Sequence, residues 1–393
     1  LPDPPSVFQT VPRIVMGPDS VRGLGDEVRR LGGRRVAVIT DPGLVRAGLH
    51  EPALYSLRRA GLEPALFQEV SPDPPLEIIP RSTVFVRESR ADLIVGLGGG
   101  SSLDVAKATA IGCTNPGPME AYAGVNLVPR PGLPTVLIPT TAGTGSEATC
   151  VAVLSDTANK VKIGVFSEFL FARLALLDPR LTLGLPAAMT AATGLDALIH
   201  ALESYTGRQA TFLTEPLALA ALELAARYLR RACADGSDLE ARTGMLRASL
   251  LAGMAFTNTQ CAAAHACSMA LGGAFHIPHG VATALMLPAA MRFNLPAAPE
   301  KFSRIAQIFG EPTAGLAPLE AAAGAITAIE RLIRDLDVKL GLENYGVDPA
   351  AVPGLARAAL GLGRLWRNNP RTADQEEVEG LFRDSFTNPR AGN

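Results

Sequence analysis

The chain changes character once, near residue 185, and that change limits what it can fold into. Before it, short apolar runs alternate with amphipathic segments. "RRVAVITD", "PALFQEV", "ADLIVGLGGG" and "TVLIPTT" read as strands, with "LVRAGLHEPALYSLRRAG" and "LEIIPRSTVFVRESR" as helices between them. Strands alternating with helices predict βαβ units and a mostly parallel sheet, since parallel neighbours need a long crossover between them. From Pro186 onward almost every stretch reads as helix, rich in Ala, Leu and Arg and punctuated by Gly, Pro and Asn. The expectation is an α/β domain over 1–185 followed by an all-helical domain over 186–393. Ahead of the first unit, "SVFQTVPRIVMGPDS" reads either as a strand or hairpin at a sheet edge or as a frayed terminus.

A chain of 393 residues can bury a large core in two or three domains. Its net charge of −2 gives no basic field to attract nucleic acid or an anionic membrane. The most apolar helical stretch is interrupted by Glu223, Arg227, Arg230 and Arg231, so it reads as a buried helix and not a membrane span. No charged-then-apolar leader opens the chain. Cys113, Cys150, Cys233, Cys261 and Cys267 have neither zinc-type CxxC spacing nor the density of a disulfide framework. Reduced thiols in a cytoplasmic enzyme are the expectation.

The stretch "DLIVGLGGGSSLDVAKATA" runs a buried strand into Gly98, Gly99 and Gly100, and a helix is expected to start at Ser101 and Ser102, with Asp104 in its first turn. Glycines let backbone N–H groups approach a ligand closely, and a helix N-terminus adds unpaired donors and a positive dipole end. That combination suits a phosphate, although the pattern is not GxGxxG. Asp41 closes "VAVITD". An acid there either caps a helix or holds an adenosine ribose, the latter favouring NAD over NADP. "IPTTAGTGSEAT" presents hydroxyls and open backbone donors, as a ligand loop or as a turn satisfied by its own Ser and Thr groups.

The second half carries a different chemistry. "TGLDALIHALESY" is apolar but places Asp196 and His200 one helical turn apart, on one face. The pair is either a salt bridge or part of a metal site. Only five histidines occur, and His265, His276 and His279 fall in "HACSMALGGAFHIPHG". His279 follows a proline, at a loop or helix start. Asp196, His200, His265 and His279 together offer one oxygen and three nitrogen donors, a set that suits Fe²⁺ or Zn²⁺ with positions left open for substrate.

In "GGGSSLDVAKA", "IPTTAGTGSEAT", "TAATGLDALIHALESY", "GMAFTN", "HACSMALGGAFHIPHG" and "RNNPRT", taken in order, the chain resembles the iron-containing (group III) alcohol dehydrogenases. The resemblance spans essentially the whole chain. It implies an N-terminal Rossmann-like dinucleotide-binding domain, a C-terminal helical metal-binding domain and an active site in the cleft between them. It implies metal ligation by Asp196, His200, His265 and His279, with Fe²⁺ or Zn²⁺ as the ion. It carries over cofactor contacts to Asp41, Gly98, Gly99, Gly100, Ser101, Ser102, Thr140, Thr141, Thr144 and Lys162, to which the helix start adds Asp104. It also implies a homodimer joined through the N-terminal strand region around "FQTVPRIVM". The expected reaction is metal-assisted hydride transfer between NAD(H), preferred over NADP(H), and a small alcohol or aldehyde.

The chain departs from the family at Met269, where many members carry a second histidine one turn after the first ligand. It departs again at Ala289. His276 is a candidate substitute as proton relay, and Met269 becomes a candidate pocket residue or a packing residue. An alternative on the same fold is a reductase of an acidic substrate, such as a maleylacetate-like compound or a phosphonate aldehyde; the complete ligand set speaks against a metal-independent form of it. A dehydroquinate-synthase-like lyase fits the "IPTTAGTGSE" and "DALIHALESY" wording less well. A catalytically dead scaffold would be marked by a lost ligand, and none of the four is missing.

Overall fold

The computed structural model describes residues 6–158 and 161–387. The chain forms two compact units, one over Gln9–Gly184 and one from Leu185 onward, and residues 6–8 group with the second. The outer ends of the two expected domains, 1–5 and 388–393, lie outside the described residues.

The first unit contains strands β1 (Ile14–Met16), β2 (Val36–Ile39), β3 (Pro64–Phe67), β4 (Leu93–Gly98), β5 (Gly124–Val125), β6 (Thr135–Pro139), β7 (Val151–Asp156), β8 (Val161–Phe166) and β9 (Leu174–Leu177). Its α-helices are α1 (Leu24–Arg30), α2 (Pro42–Arg46), α3 (Glu51–Arg59), α4 (Ile78–Glu88) and α5 (Gly100–Thr114). Six strands make one all-parallel sheet in the order β1-β9-β6-β4-β2-β3. Strands β2, β4 and β9 are buried along their whole length, which is why they read as unbroken apolar runs and not as alternating ones. The first segment is an edge strand: Ile14, Val15 and Met16 pair in parallel with Ala175, Leu176 and Leu177. The single helix expected from "LVRAGLHEPALYSLRRAG" is two, because Gly48 takes a left-handed turn and Pro52 starts a new helix.

The strand order sets the site. From β2 the chain steps outward to β3, then returns to the other side of β2 as β4. The carboxyl ends of β2 and β4 therefore flank a topological switch point, where open α/β sheets bind ligands. A smaller sheet in the order β5-β8-β7 is added, with β7 and β8 forming an antiparallel hairpin.

The second unit is helical: α6 (Ala187–Thr206), α7 (Thr214–Ala234), α8 (Leu239–Thr259), α9 (Ala263–Phe275), α10 (His279–Asn294), α11 (Pro299–Ile308), α12 (Pro318–Asp335), α13 (Val352–Leu360), α14 (Gly363–Asn368) and α15 (Gln375–Arg383). Helix α6 is the interior element and packs against α7, α8 and α10. Leu195, Leu198, Ile199 and Leu202 on it are buried. Each such side chain contributes roughly 1.5–3 kcal/mol over exposure. That burial offsets the cost of carrying Asp196, His200 and Glu203, also buried, on the same helix. No helix among the described residues is long and apolar enough to cross a membrane.

Candidate metal centre and nucleotide turn

In the α/β unit the glycine turn lies at the switch point. Gly98 has φ +149, and a side chain there would run into Ser102. Helix α5 begins at Gly100, slightly earlier than expected, with Gly99 as its N-cap. Gly99, Gly100 and Ser101 are partly exposed, so backbone donors at the N-terminus of α5 face outward, while Ser102 is buried. The threonine loop closes over the turn. A Cβ at Gly100 would lie 2.7 Å from the Thr144 methyl, and one at Gly99 3.5 Å from that of Thr141. Thr140 is buried, and its N–H donates to the Gly98 carbonyl at 3.0 Å.

Asp41 caps a helix and also reaches the glycine turn. Its Oδ1 caps α2 by accepting from Leu44 N–H at 3.0 Å, with Pro42 in the first turn. Its Oδ2 turns to the glycine side, 3.5 Å from Ser102 Oγ. Asp104 is different. Because α5 starts at Gly100, Asp104 lies beyond the first turn and points inward. Its oxygens accept from Ser146 Oγ at 2.5 Å and Val153 N–H at 2.9 Å, and Lys107 Nζ is 3.3 Å away. Lys107 is fully buried and also donates to the Ser146 and Val151 carbonyls and to Thr149 Oγ1. Asp104 and Lys107 thus fasten the threonine loop to α5. Burial of Glu147 in that loop pushes its carboxyl up to about 7, although Lys107 pulls the other way. Lys162 stands on β8 and is paired with Asp73.

In the helical unit three helices converge. Asp196 and His200 come from α6, His265 from α9, and His279 is the first residue of α10, with Pro278 before it. Gly280 permits the approach of α10 to α6, since a Cβ there would fall 2.1 Å from the Ala192 carbonyl oxygen. Asp196 Oδ1 lies 3.6 Å from His265 Nε2 and 3.6 Å from His279 Nε2. His200 stands on the other side of the carboxylate, its Nδ1 3.8 Å from Asp196 Oδ2, and stacks between Phe256 and His265. The expected ligands fall into two overlapping triads that share His265: Asp196, His265 and His279, and His200, Cys261 and His265.

Asp196 Oδ1, His200 Nδ1 and His265 Nε2 are buried and have no hydrogen-bond partner. Leaving such groups unpaired costs about 1–3 kcal/mol each, and a cation held by them would supply the missing partner. Carboxylate and imidazole donors fit Fe²⁺ or Zn²⁺. Burial opposes ionisation of Asp196, yet His200, His265 and His279 hold it well below the usual carboxylate range. Burial raises the Cys261 thiol, but the neighbouring His265 and His200 bring it down to about 7.

Glu203, on the same face of α6, fixes His265. It lies 2.6 Å from His265 Nδ1 and accepts from the N–H groups of Ala262 and Ala264, both at 2.7 Å, at the start of α9. The "RNNPRT" stretch braces the same turn. Asn369 Oδ1 accepts from Ala263 N–H at 3.2 Å, and Asn368 Nδ2 donates to the Gln260 carbonyl at 2.7 Å. Cys261, Glu203 and the two asparagines were not among the expected site residues. Met269 is one turn past His265 and half-buried, outside the packed core. His276 is exposed and ends α9 in a left-handed conformation (φ 55, ψ 29), outside the buried group.

The chain thus carries a glycine turn at the switch point of its parallel sheet and a cluster of carboxylate and imidazole groups in its helical unit. The iron-containing alcohol dehydrogenase model matches residues 12–179, and the C-terminal model of the Fe-containing alcohol dehydrogenase family matches 190–386; the chain belongs to that family. It is 41% identical to a sulfoacetaldehyde reductase of Bilophila wadsworthia over 97% of this chain and 99% of that one. The crystal structure of a 1,3-propanediol oxidoreductase superposes with TM-score 0.95 at 40% identity, over 98% of this chain and 100% of that one. The structure of a sulfoacetaldehyde reductase from Bifidobacterium kashiwanohense in complex with NAD⁺ superposes with TM-score 0.86 at 27% identity, covering 98% and 100%. The chain is thus an alcohol/aldehyde-type oxidoreductase.

Proposed function

We propose that the protein is a metal-dependent, NAD(H)-linked reductase of short aldehydes, acting also on the matching alcohols. The observation that carries the reading is the set of three orphaned buried atoms, Asp196 Oδ1, His200 Nδ1 and His265 Nε2, on neighbouring side chains. Asp196, His200, His265 and His279 would hold Fe²⁺ or Zn²⁺. When bound, the ion supplies a Lewis acid for the substrate oxygen and the nicotinamide gives or takes the hydride.

The chain's own residues prepare this chemistry. Glu203 holds a proton on His265 Nδ1 and so keeps the Nε2 lone pair directed at the centre. The N-terminus of α5 and the Thr141–Thr144 side of the loop would bind the nucleotide's phosphates, and Asp41 Oδ2 its ribose. A 2′-phosphate would meet the Asp41 charge, which favours NAD(H). Asp104 and Lys107 act behind the loop and not on the cofactor. The named relatives support a short substrate with a polar group away from the reacting carbon: a sulfonate in sulfoacetaldehyde, a second hydroxyl in 1,3-propanediol. The acidic-substrate reading is the second one, favoured by the relative named a sulfoacetaldehyde reductase and by Met269 in place of the family's histidine. The place of β1 at the edge of the six-stranded sheet supports a homodimer through that strand, and cysteines held as thiols suit a cytoplasmic setting.

A panel of short aldehydes, plain, hydroxylated, sulfonated and phosphonated, run with NADH and NADPH after Fe²⁺ or Zn²⁺ loading, tests the reading. Turnover of a short aldehyde with NADH and loss of it on chelation are expected. Metal-independent turnover, or none with any aldehyde, would overturn it.

A further inference from the structure

Cys261 has no role in the reading above, yet it shares a triad with His200 and His265 whose donor atoms all lie within 4.8 Å of one another. That triad overlaps the Asp196, His265 and His279 triad at His265. With Nδ1 held by Glu203, His265 has only Nε2 left for an ion, and one nitrogen lone pair binds one ion. The two triads are therefore alternative seats for one ion, one bearing oxygen and one bearing sulfur, that meet at His265. His200, whose buried Nδ1 is without a partner, stands on the sulfur side.

The chain holds Cys261 there against backbone strain. Gln260, just before it, has φ 76 and ψ 165, a region that side-chain-bearing residues rarely occupy. Asn368 secures the strained turn by donating to the Gln260 carbonyl, and Gln260 N–H donates to the Phe256 carbonyl at 2.7 Å. The buried thiol is thereby set against two imidazoles in place of being turned out to solvent.

We propose that Cys261 is a thiolate ligand that draws the divalent ion to the sulfur-bearing triad with His200 and His265, and so shifts the preference of this region from Fe²⁺ toward Zn²⁺. On binding, the S–H bond breaks, the proton passes to solvent, and sulfur donates its lone pair to the ion with no change in oxidation state. Thiolate favours zinc over the harder iron(II) ion, whereas the carboxylate and imidazole set alone accepts either. The inference rests on the metal reading above.

Metal-free full-length protein is loaded with Co²⁺ without oxygen, and bound cobalt is counted beside its near-ultraviolet absorption. A bound cobalt with a sulfur-to-cobalt charge-transfer band is expected in the parent and in Cys267→Ser. Cys261→Ser is expected to keep the cobalt and lose the band. A parent with bound cobalt and no band, or a band that survives Cys261→Ser, overturns the inference alone. No cobalt bound at all overturns the metal reading with it. Should Cys261→Ser fail to fold, zinc X-ray absorption of the Cys267→Ser protein decides: a sulfur neighbour at about 2.3 Å supports the proposal, and a shell of only nitrogen and oxygen overturns it.

Discussion

Glu203 Oε2 lies 2.6 Å from His265 Nδ1, and that contact decides which nitrogen of His265 faces Asp196. Glu203 and His265 belong to different helices, α6 and α9, and Glu203 also accepts two backbone N–H groups at the start of α9. One carboxylate thus holds both a ring nitrogen of His265 and the start of the helix that carries it. Glu203→Gln keeps the size but loses the charge, and its amide can accept through one oxygen only. Metal affinity is expected to fall about 10–100-fold, read by competition against a chelator, with turnover restored at high metal concentration. An unchanged affinity would remove Glu203 from the metal account.

Asp41 offers a cleaner test of cofactor choice than its removal would. Asp41→Gly gives up a good N-cap and the charge together. Asp41→Ser retains a cap for Leu44 N–H and removes only the charge. The ratio of kcat/KM for NADH over NADPH is expected to fall at least several-fold in Asp41→Ser, with the melting temperature close to the parent's. A ratio that does not move would assign the choice to another residue.

The architecture was largely legible in the sequence because buried parallel strands and long helices leave local patterns. "VAVIT", "LIVGLG" and "TVLIP" are β2, β4 and β6, and the glycines after β4 sit at the sheet's switch point. The β7–β8 hairpin is not evident in the sequence, since Val161–Phe166 is broken by Lys162 and Gly164 and the apolar run Val151–Leu154 lies on a small side sheet that buries only alternate residues. Glu203 left a signal that went unused: with Asp196 and His200 it completes the i, i+4, i+7 spacing of a single helix face. Cys261 left none. Its position depends on the left-handed turn at Gln260 and on Asn368 from far along the chain, and neither is encoded in the local pattern.

Glu147 gives the α/β unit a distinct pH dependence. Its carboxyl is raised from 4.5 to about 7 by burial, and Oε1 has no hydrogen-bond partner. The folded chain therefore binds a proton that the unfolded chain releases between those values. The stability so contributed is full below about pH 4.5 and is lost as the pH rises to about 7. Glu147→Gln should remove that slope and gain on the order of 2 kcal/mol over the parent at pH 8. Urea unfolding at pH 5 and pH 8 checks this, and an equal slope in both proteins would contradict it.

Met269 tests the basis of substrate choice. It lies one turn past His265 and is half-buried, so a change there need not disturb the packed core. Met269→His should alter the order of preference among plain, hydroxylated and sulfonated aldehydes. It should also add an ionisation near neutrality to the pH profile of kcat. Metal content should stay the same. A variant with the parent's ranking and profile would make Met269 a packing residue.

The central claim, a single divalent ion held by Asp196, His200, His265 and His279, is tested most directly by the metal content of His265→Ala beside the parent. Both are purified without oxygen and loaded with Fe²⁺ or Zn²⁺. The account predicts an ion per chain in the parent. In the variant it predicts loss of the ion and of most NADH-dependent aldehyde reduction, with NADH affinity retained because the nucleotide is assigned to the α/β unit. Full metal occupancy in His265→Ala would contradict it.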